Sequence, residues 1–165
     1  MPSELVINCS KVMAEQKLTI AFVESTTAGR LCSEFSLVPD SGTILMGGLV
    51  CYDACLKEDI LGVPRELDEK YTPESAQVTK ELAKRLKGYM PADIHVAITG
   101  LTTAGGSENP DKPVGTMFIH MCIHDESIAV HEIFPGTPEE IVLQTIDKVA
   151  KLIMGELVSS HRREC

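Results

Sequence analysis

Positive charge is scarce in this sequence. Lys and Arg number 15 against 24 Asp and Glu, and 15 − 24 leaves a net charge of −9. A chain without a basic excess lacks what displaces counterions from nucleic acid or holds an anionic membrane. One phosphate on a small ligand is still within reach, because a helix N-terminus or a local patch can hold it. Long apolar runs are missing too. The stretch from Ile44 to Tyr52 is broken by Gly47 and Gly48, so no membrane span is expected. Met1-Pro2-Ser3-Glu4 has neither a basic start nor an apolar core, so no secretion signal is expected. Cys9, Cys32, Cys51, Cys55, Cys122 and Cys165 form no C-x-x-C pair and suggest no disulfide framework. They read as reduced, mostly buried thiols of a cytoplasmic protein. No repeat, linker or low-complexity segment interrupts the chain.

What is present fits one domain over residues 1–165, and 44% hydrophobic residues supply a core. Leu5, Val6, Cys9, Val12 and Met13 predict a helix over 3–16, with Ser3 as its cap. Leu18 to Val23 predicts a buried strand that runs into the small polar stretch Glu24–Gly29. A short helix follows, with Leu31, Phe35 and Leu37 inward. A long strand is predicted over Thr43–Tyr52, with a bulge or close backbone approach at Gly47-Gly48. Helices are predicted over 53–61, over 64–70, and from Thr72 as N-cap. Asp93–Thr99 is a strand, and Val114–Ile123 and Ser127–Phe134 form a hairpin. Thr137-Pro138-Glu139-Glu140 opens a final helix with Ile141, Ile146, Val149 and Ile153 inward. This order predicts an α/β protein, a three-layer α/β/α sandwich with a mixed parallel/antiparallel sheet.

Three stretches could carry chemistry. In Glu24-Ser25-Thr26-Thr27-Ala28-Gly29 a strand enters a helix over small residues, leaving backbone N–H groups free beside the Ser25 hydroxyl. Ser25 is a possible nucleophile, or one of these hydroxyls is simply an N-cap. The G-x-S-x-G pattern of α/β-hydrolases is absent. A base must come from elsewhere, and no histidine occurs before His95. Lys57, just past the Thr43–Tyr52 strand, can serve if burial lowers its pKa by roughly 3 units. The alternative is an ordinary solvated lysine. The third stretch runs from Thr99-Gly100 through Gly105-Gly106 to Lys112-Pro113-Val114-Gly115. Its glycines admit a close ligand, and its hydroxyls and Lys112 could bind phosphate or amide, although it is no P-loop. His120, Cys122 and His124 share one face if all are in a strand, but their hairpin alternation explains them without metal.

Taken together, the three stretches resemble the CinA C-terminal domain family. Val23-Glu24-Ser25-Thr26-Thr27-Ala28-Gly29 resembles its A-E-S-C-T-G-G signature. Gly48-Leu49-Val50-Cys51-Tyr52, Lys57 and Leu61-Gly62-Val63 resemble its G-F-V-T-Y-S-N-E-A-K…L-G-V block. Ile98-Thr99-Gly100 and Lys112-Pro113-Val114-Gly115-Thr116 resemble I-T-G-I-A-G-P-G-G-G and K-P-V-G-T. The match is collinear over roughly residues 3–155. Stand-alone, PncC-like members are amidohydrolases that deamidate nicotinamide mononucleotide to the acid and ammonia. The resemblance implies a Ser25 nucleophile, a Lys57 base and Tyr52 beside them. It implies site-lining positions at Glu24 and Thr99, to which the turn and the loop add Thr26, Thr27, Gly100, Gly105, Gly106 and Lys112 as substrate-binding candidates. It also implies no metal, no organic cofactor, a pyridine mononucleotide as small-molecule partner, and a homodimer.

The sequence departs from the family pattern in places. Thr26 replaces the cysteine after the nucleophile, and Ala28 replaces the first glycine of the pair. Asp53-Ala54-Cys55-Leu56 replaces Ser-Asn-Glu-Ala, and the loop before Lys112 lacks Ala-Gly-Pro. Gly136 is followed by Thr137-Pro138 instead of Asp-Arg. These changes keep a second reading open, a nucleotide-binding paralogue on the same fold with weak or no turnover. A metal-dependent hydrolase using His120 and His124 is a third.

Overall fold

The computed structural model describes residues 1–163, with side chains described through Ser159. Cys165 therefore lies outside the described residues. Five strands form one sheet in the order β2-β1-β3-β4-β5. β1 (Ile20–Glu24) is central and parallel to both β2 (Leu45–Val50) and β3 (Ile94–Gly100). β4 (Thr116–Ile123) is antiparallel to β3 and turns through His124-Asp125 into antiparallel β5 (Glu126–Ile133). The mixed sheet is thus as expected.

Helices cover both faces. α1 (Glu4–Glu15), α2 (Arg30–Ser36), α3 (Ser41–Ile44) and α7 (Pro138–Arg163) bring Met13, Phe35, Val149 and Ile153 against Phe22, Val96 and Ile119 of the sheet. α4 (Ala54–Leu61), α5 (Arg65–Tyr71) and α6 (Ala76–Tyr89) bring Leu61, Val78 and Leu82 against Ala21, Val23 and Ala97. Strands covered on both sides should be apolar throughout, and every residue of β1 and β3 is buried. The crossover from β1 to β2 packs its helices on one face and the crossover from β2 to β3 packs its helices on the other, which creates the three layers.

Local chemistry sets the element ends. Ser3 accepts from the Val6 N–H at 3.3 Å and donates to Asp147 at 2.6 Å, so one hydroxyl caps α1 and ties it to α7. Thr137 and Glu140 form a reciprocal capping box at the start of α7. Gly62 ends α4 with φ of 65°. The paired glycines of β2 behave as their sequence suggests. The register with β1 skips Met46, and a Cβ on Gly48 would sit 3.2 Å from Cys32 and 3.4 Å from Phe22.

Three local expectations are corrected. Thr43 and Ile44 belong to α3, so β2 begins at Leu45. The Thr43 hydroxyl donates to the Asp40 carbonyl and favours the helical turn. Leu37 follows α2 as its C-cap and points to solvent. Thr72 does not cap α6. It ends α5 with φ of 70°, and Ser75 caps α6 by accepting from the Val78 N–H. Pro73 and Glu74 thereby become a short link between two helices.

Candidate active site

The carboxyl ends of β1 and β2 finish level with one another, and β3 runs two residues further, to Gly100. The Cys51 N–H donates to the Glu24 carbonyl at 2.8 Å, and the Ser25 N–H donates to the Ile98 carbonyl at 3.0 Å. Ser25 is therefore the first residue to leave the sheet, flanked by Tyr52 on one side and Thr99-Gly100 on the other. Its turn closes through the Ala28 N–H on the Ser25 carbonyl at 3.0 Å, with Ala28 at φ of 48°. Among the hydrogen bonds of the described residues, none uses the N–H of Thr26 or Thr27. Two donors beside a hydroxyl are what a developing oxyanion needs.

A cleft of about 250 Å³ opens over this turn. Ser25, Thr26, Tyr52, Gly100, Gly105 and Gly106 line it, together with Glu74 and the 101–104 segment. The Ser25 residue is only 5% exposed, whereas Tyr52 is 62% exposed at the rim.

Lys57 sits on α4, whose N-terminus Asp53 caps through the Cys55 N–H at 3.0 Å. It is 1% exposed and among the largest fully buried side chains. A lysine rarely occupies such a position, because its ammonium loses its water. Burial holds its pKa below the ordinary lysine value, while the charges of Asp68, Glu74, Cys51 and Asp53 pull in the other direction. Its neighbours in charge thus include Glu74 of the cleft wall and Cys51 at the end of β2. Asp68, on α5, is pushed up by burial and drawn down by Lys57, and its Oδ1 is buried without a hydrogen-bond partner.

The other sequence-predicted site residues are used inside the protein. The buried Glu24 carboxylate accepts the N–H groups of Gly29 and Leu31, each at 3.0 Å, and of Cys32 at 2.8 Å. It satisfies the start of α2 from the strand below. Thr99 bonds Thr79 at 2.8 Å, and since Thr79 donates to the Ser75 carbonyl, Thr99 is the donor of that pair. Thr27 is buried with an unpartnered hydroxyl. The Lys112 ammonium donates to Thr72 Oγ1 and Ser107 Oγ, both at 2.6 Å, and to the Glu74 carbonyl at 3.0 Å. Ser107 in turn donates to the Glu74 carboxylate. Lys112 therefore fastens the 101–115 loop to the α5–α6 link, with its three N–H bonds occupied.

Glu74 is the site residue the sequence reading did not single out. Its position after Thr72-Pro73 resembled a helix start, and only the shift of the cap to Ser75 turns it toward the cleft. His120 lies in β4 and pairs with Ser127 at 2.7 Å, while His124 sits in the hairpin turn with φ of 51°. They do not share a strand face, and the described residues contain no cluster of three or more His, Cys, Asp and Glu able to hold a metal. No helix among the described residues is long and apolar enough to cross a membrane.

Fold and cleft together define an α/β/α domain with a serine turn and a buried lysine at the carboxyl edge of its sheet. The chain belongs to the CinA C-terminal domain family, whose model matches residues 3–157. A CinA-like protein of Thermotoga neapolitana is 40% identical over 111 residues, covering 67% of this chain and 27% of that protein. A CinA-like protein of Thermotoga maritima is 33% identical over 149 residues, covering 88% and 36%. The chain thus spans about a third of the length of these relatives. The crystal structure of a competence or damage-inducible protein from Enterobacter asburiae superposes with a TM-score of 0.87 at 25% identity, covering 93% of this chain and 96% of that one.

Proposed function

We propose that this chain is a metal-independent serine amidohydrolase that releases ammonia from the carboxamide of nicotinamide mononucleotide. The observation that carries this reading is Lys57, a lysine buried beside the carboxyl edge of the sheet with its proton affinity lowered by desolvation. A fold has no structural need for such a residue, and general-base catalysis does. The pyridine mononucleotide is supplied by the resemblance of the three motifs, and the polar, glycine-lined cleft supports it.

In the first step Ser25 Oγ attacks the carboxamide carbon and its proton passes to neutral Lys57 Nζ. The oxyanion takes the N–H groups of Thr26 and Thr27. Lys57 then gives its proton to the leaving nitrogen, the C–N bond breaks, and ammonia departs from a Ser25 ester. Water attacks that ester with Lys57 again as base, releasing the carboxylate and restoring Ser25. Tyr52 at the rim would contact the ring or ribose.

The test is ammonia release from nicotinamide mononucleotide by the purified chain, by Ser25→Ala and by Lys57→Met. Loss in both variants is expected. Wild-type turnover in either one rules out the dyad. Tight binding of the mononucleotide by the wild-type chain with no ammonia would favour the nucleotide-binding reading, which the occupied Lys112 and the replaced 53–56 segment support. The homodimer implied by the resemblance is tested by sedimentation.

A further inference from the structure

Among the described residues lining the cleft, Glu74 is the single one with a charged side chain. The lysine expected to supply positive charge, Lys112, faces Thr72, Ser107 and the Glu74 carbonyl instead. The protein as a whole carries −9. Around Glu74 the cleft, walled by hydroxyls and backbone, is complementary to a cationic portion of a ligand. We infer that Glu74 is the residue by which this cleft selects the charged ring of its ligand, a cationic pyridinium carboxamide, over the neutral ring of the reduced form. This rests on the amidohydrolase reading for the identity of the ring but not for the preference itself.

The contacts of Glu74 suit that role. One carboxylate oxygen, Oε2, accepts from Ser107, which Lys112 holds in place, so the carboxylate is fixed before any ligand arrives. Preorganised charge costs no rearrangement at binding. Glu74 also sits within electrostatic range of Lys57 and favours its protonated form. A cationic ring set against Glu74 offsets that influence and moves Lys57 toward its neutral, proton-accepting form. Recognition of ring charge and readiness of the base are then coupled through one carboxylate. Lys57, Lys112, Asp68 and Glu108 are the other charged groups around it. With Lys57 neutral, they sum with Glu74 to two negative charges for the ring to meet.

The experiment is calorimetric binding of two probes, nicotinamide mononucleotide and its reduced 1,4-dihydropyridine form, to the full chain. The two share phosphate, ribose and carboxamide and differ in ring charge. The wild-type chain is expected to prefer the oxidised probe by at least about fivefold, and Glu74→Gln to bind both alike. Ser107→Ala loosens the carboxylate's anchor but keeps its charge, so it is expected to retain the preference. Equal binding of both probes by wild type, no binding of either, a preference unchanged in Glu74→Gln, or its loss in both variants overturns the inference. Ammonia release is read separately. Turnover without charge preference sinks this inference and leaves the amidohydrolase standing. Charge preference without turnover does the reverse.

Discussion

The Cys51 N–H reaches the Glu24 carbonyl at 2.8 Å, so β2 is still paired with β1 at the residue before Ser25. That one bond makes the turn into α2 and the turn into α4 leave the sheet at the same level. It sets the turn that carries Ser25 beside the segment that leads from β2 into α4, the helix of Lys57. Ligands of open α/β sheets gather at this edge, where loops diverge and backbone donors are unspent.

If Lys57 is the base, its proton must be absent for turnover. Its pKa lies below the ordinary lysine value because burial penalises the ammonium. Ammonia release, expressed as kcat/KM, is therefore expected to rise with pH along a limb whose midpoint falls below that of a free lysine. Lys57→Met is expected to cost at least about 10²-fold in kcat/KM and to abolish the limb. The same shift acts on stability. A group that binds its proton more weakly when folded destabilises the fold below its folded pKa, and that penalty fades as pH rises toward the unfolded value. Lys57→Met, an apolar chain of similar length, is thus expected to raise Tm at neutral pH. A lowered Tm would mean that the ammonium is stabilising and that its burial serves the fold.

Glu24 is expected to matter for stability more than for binding. Its oxygens accept three backbone N–H groups at the start of α2. Glu24→Gln keeps the shape but sets an amide NH₂ against at least one of those donors. The expected loss is about 1–3 kcal/mol in urea unfolding. Unchanged stability together with a raised KM would return Glu24 to the substrate.

Much of this was readable from the residues, and the failures have a common cause. Small residues after β1, the glycine pair in β2 and the Thr137–Glu140 cap each act locally, so their sequence carries their geometry. Lys57 was legible only as a position, since burial depends on how α5 and α6 close over α4. Lys112 and Glu74 exchanged expected roles for the same reason. The sequence places Lys112 in a loop and Glu74 at a helix start, yet a 40-residue separation closes through the bond from Lys112 to Thr72. Glu24 followed the family position, while its three bonds depend on the turn that carries Ser25.

The Lys112 fastening predicts a change in the loop before any change in chemistry. Lys112→Met removes two donor bonds that tie 101–115 to the α5–α6 link, and a third that holds Ser107 within the loop. Limited proteolysis is expected to cut this loop faster in the variant, with global unfolding little affected. KM is expected to rise more than kcat falls, because the loop walls the cleft but holds neither Ser25 nor Lys57. Identical cleavage rates would show that the loop is held by its own turns.

Ala28 offers the cleanest test of the turn that carries Ser25. It is exposed and has φ of 48°, where an L side chain crowds its own carbonyl and a glycine does not. The family signature places glycine here. Ala28→Gly deletes a methyl group with little packing to lose and relieves about 1 kcal/mol of backbone strain. Part of that gain is offset by the greater freedom of glycine in the unfolded chain. The net expectation is a Tm unchanged or raised by about 2 °C, in contrast to the fall that glycine produces in ordinary helix positions. Turnover should be kept, since the Ala28 N–H still closes on the Ser25 carbonyl. A Tm lowered by several degrees would show that the turn prefers another backbone conformation, and the placing of the Thr26 and Thr27 donors would have to be redrawn with it.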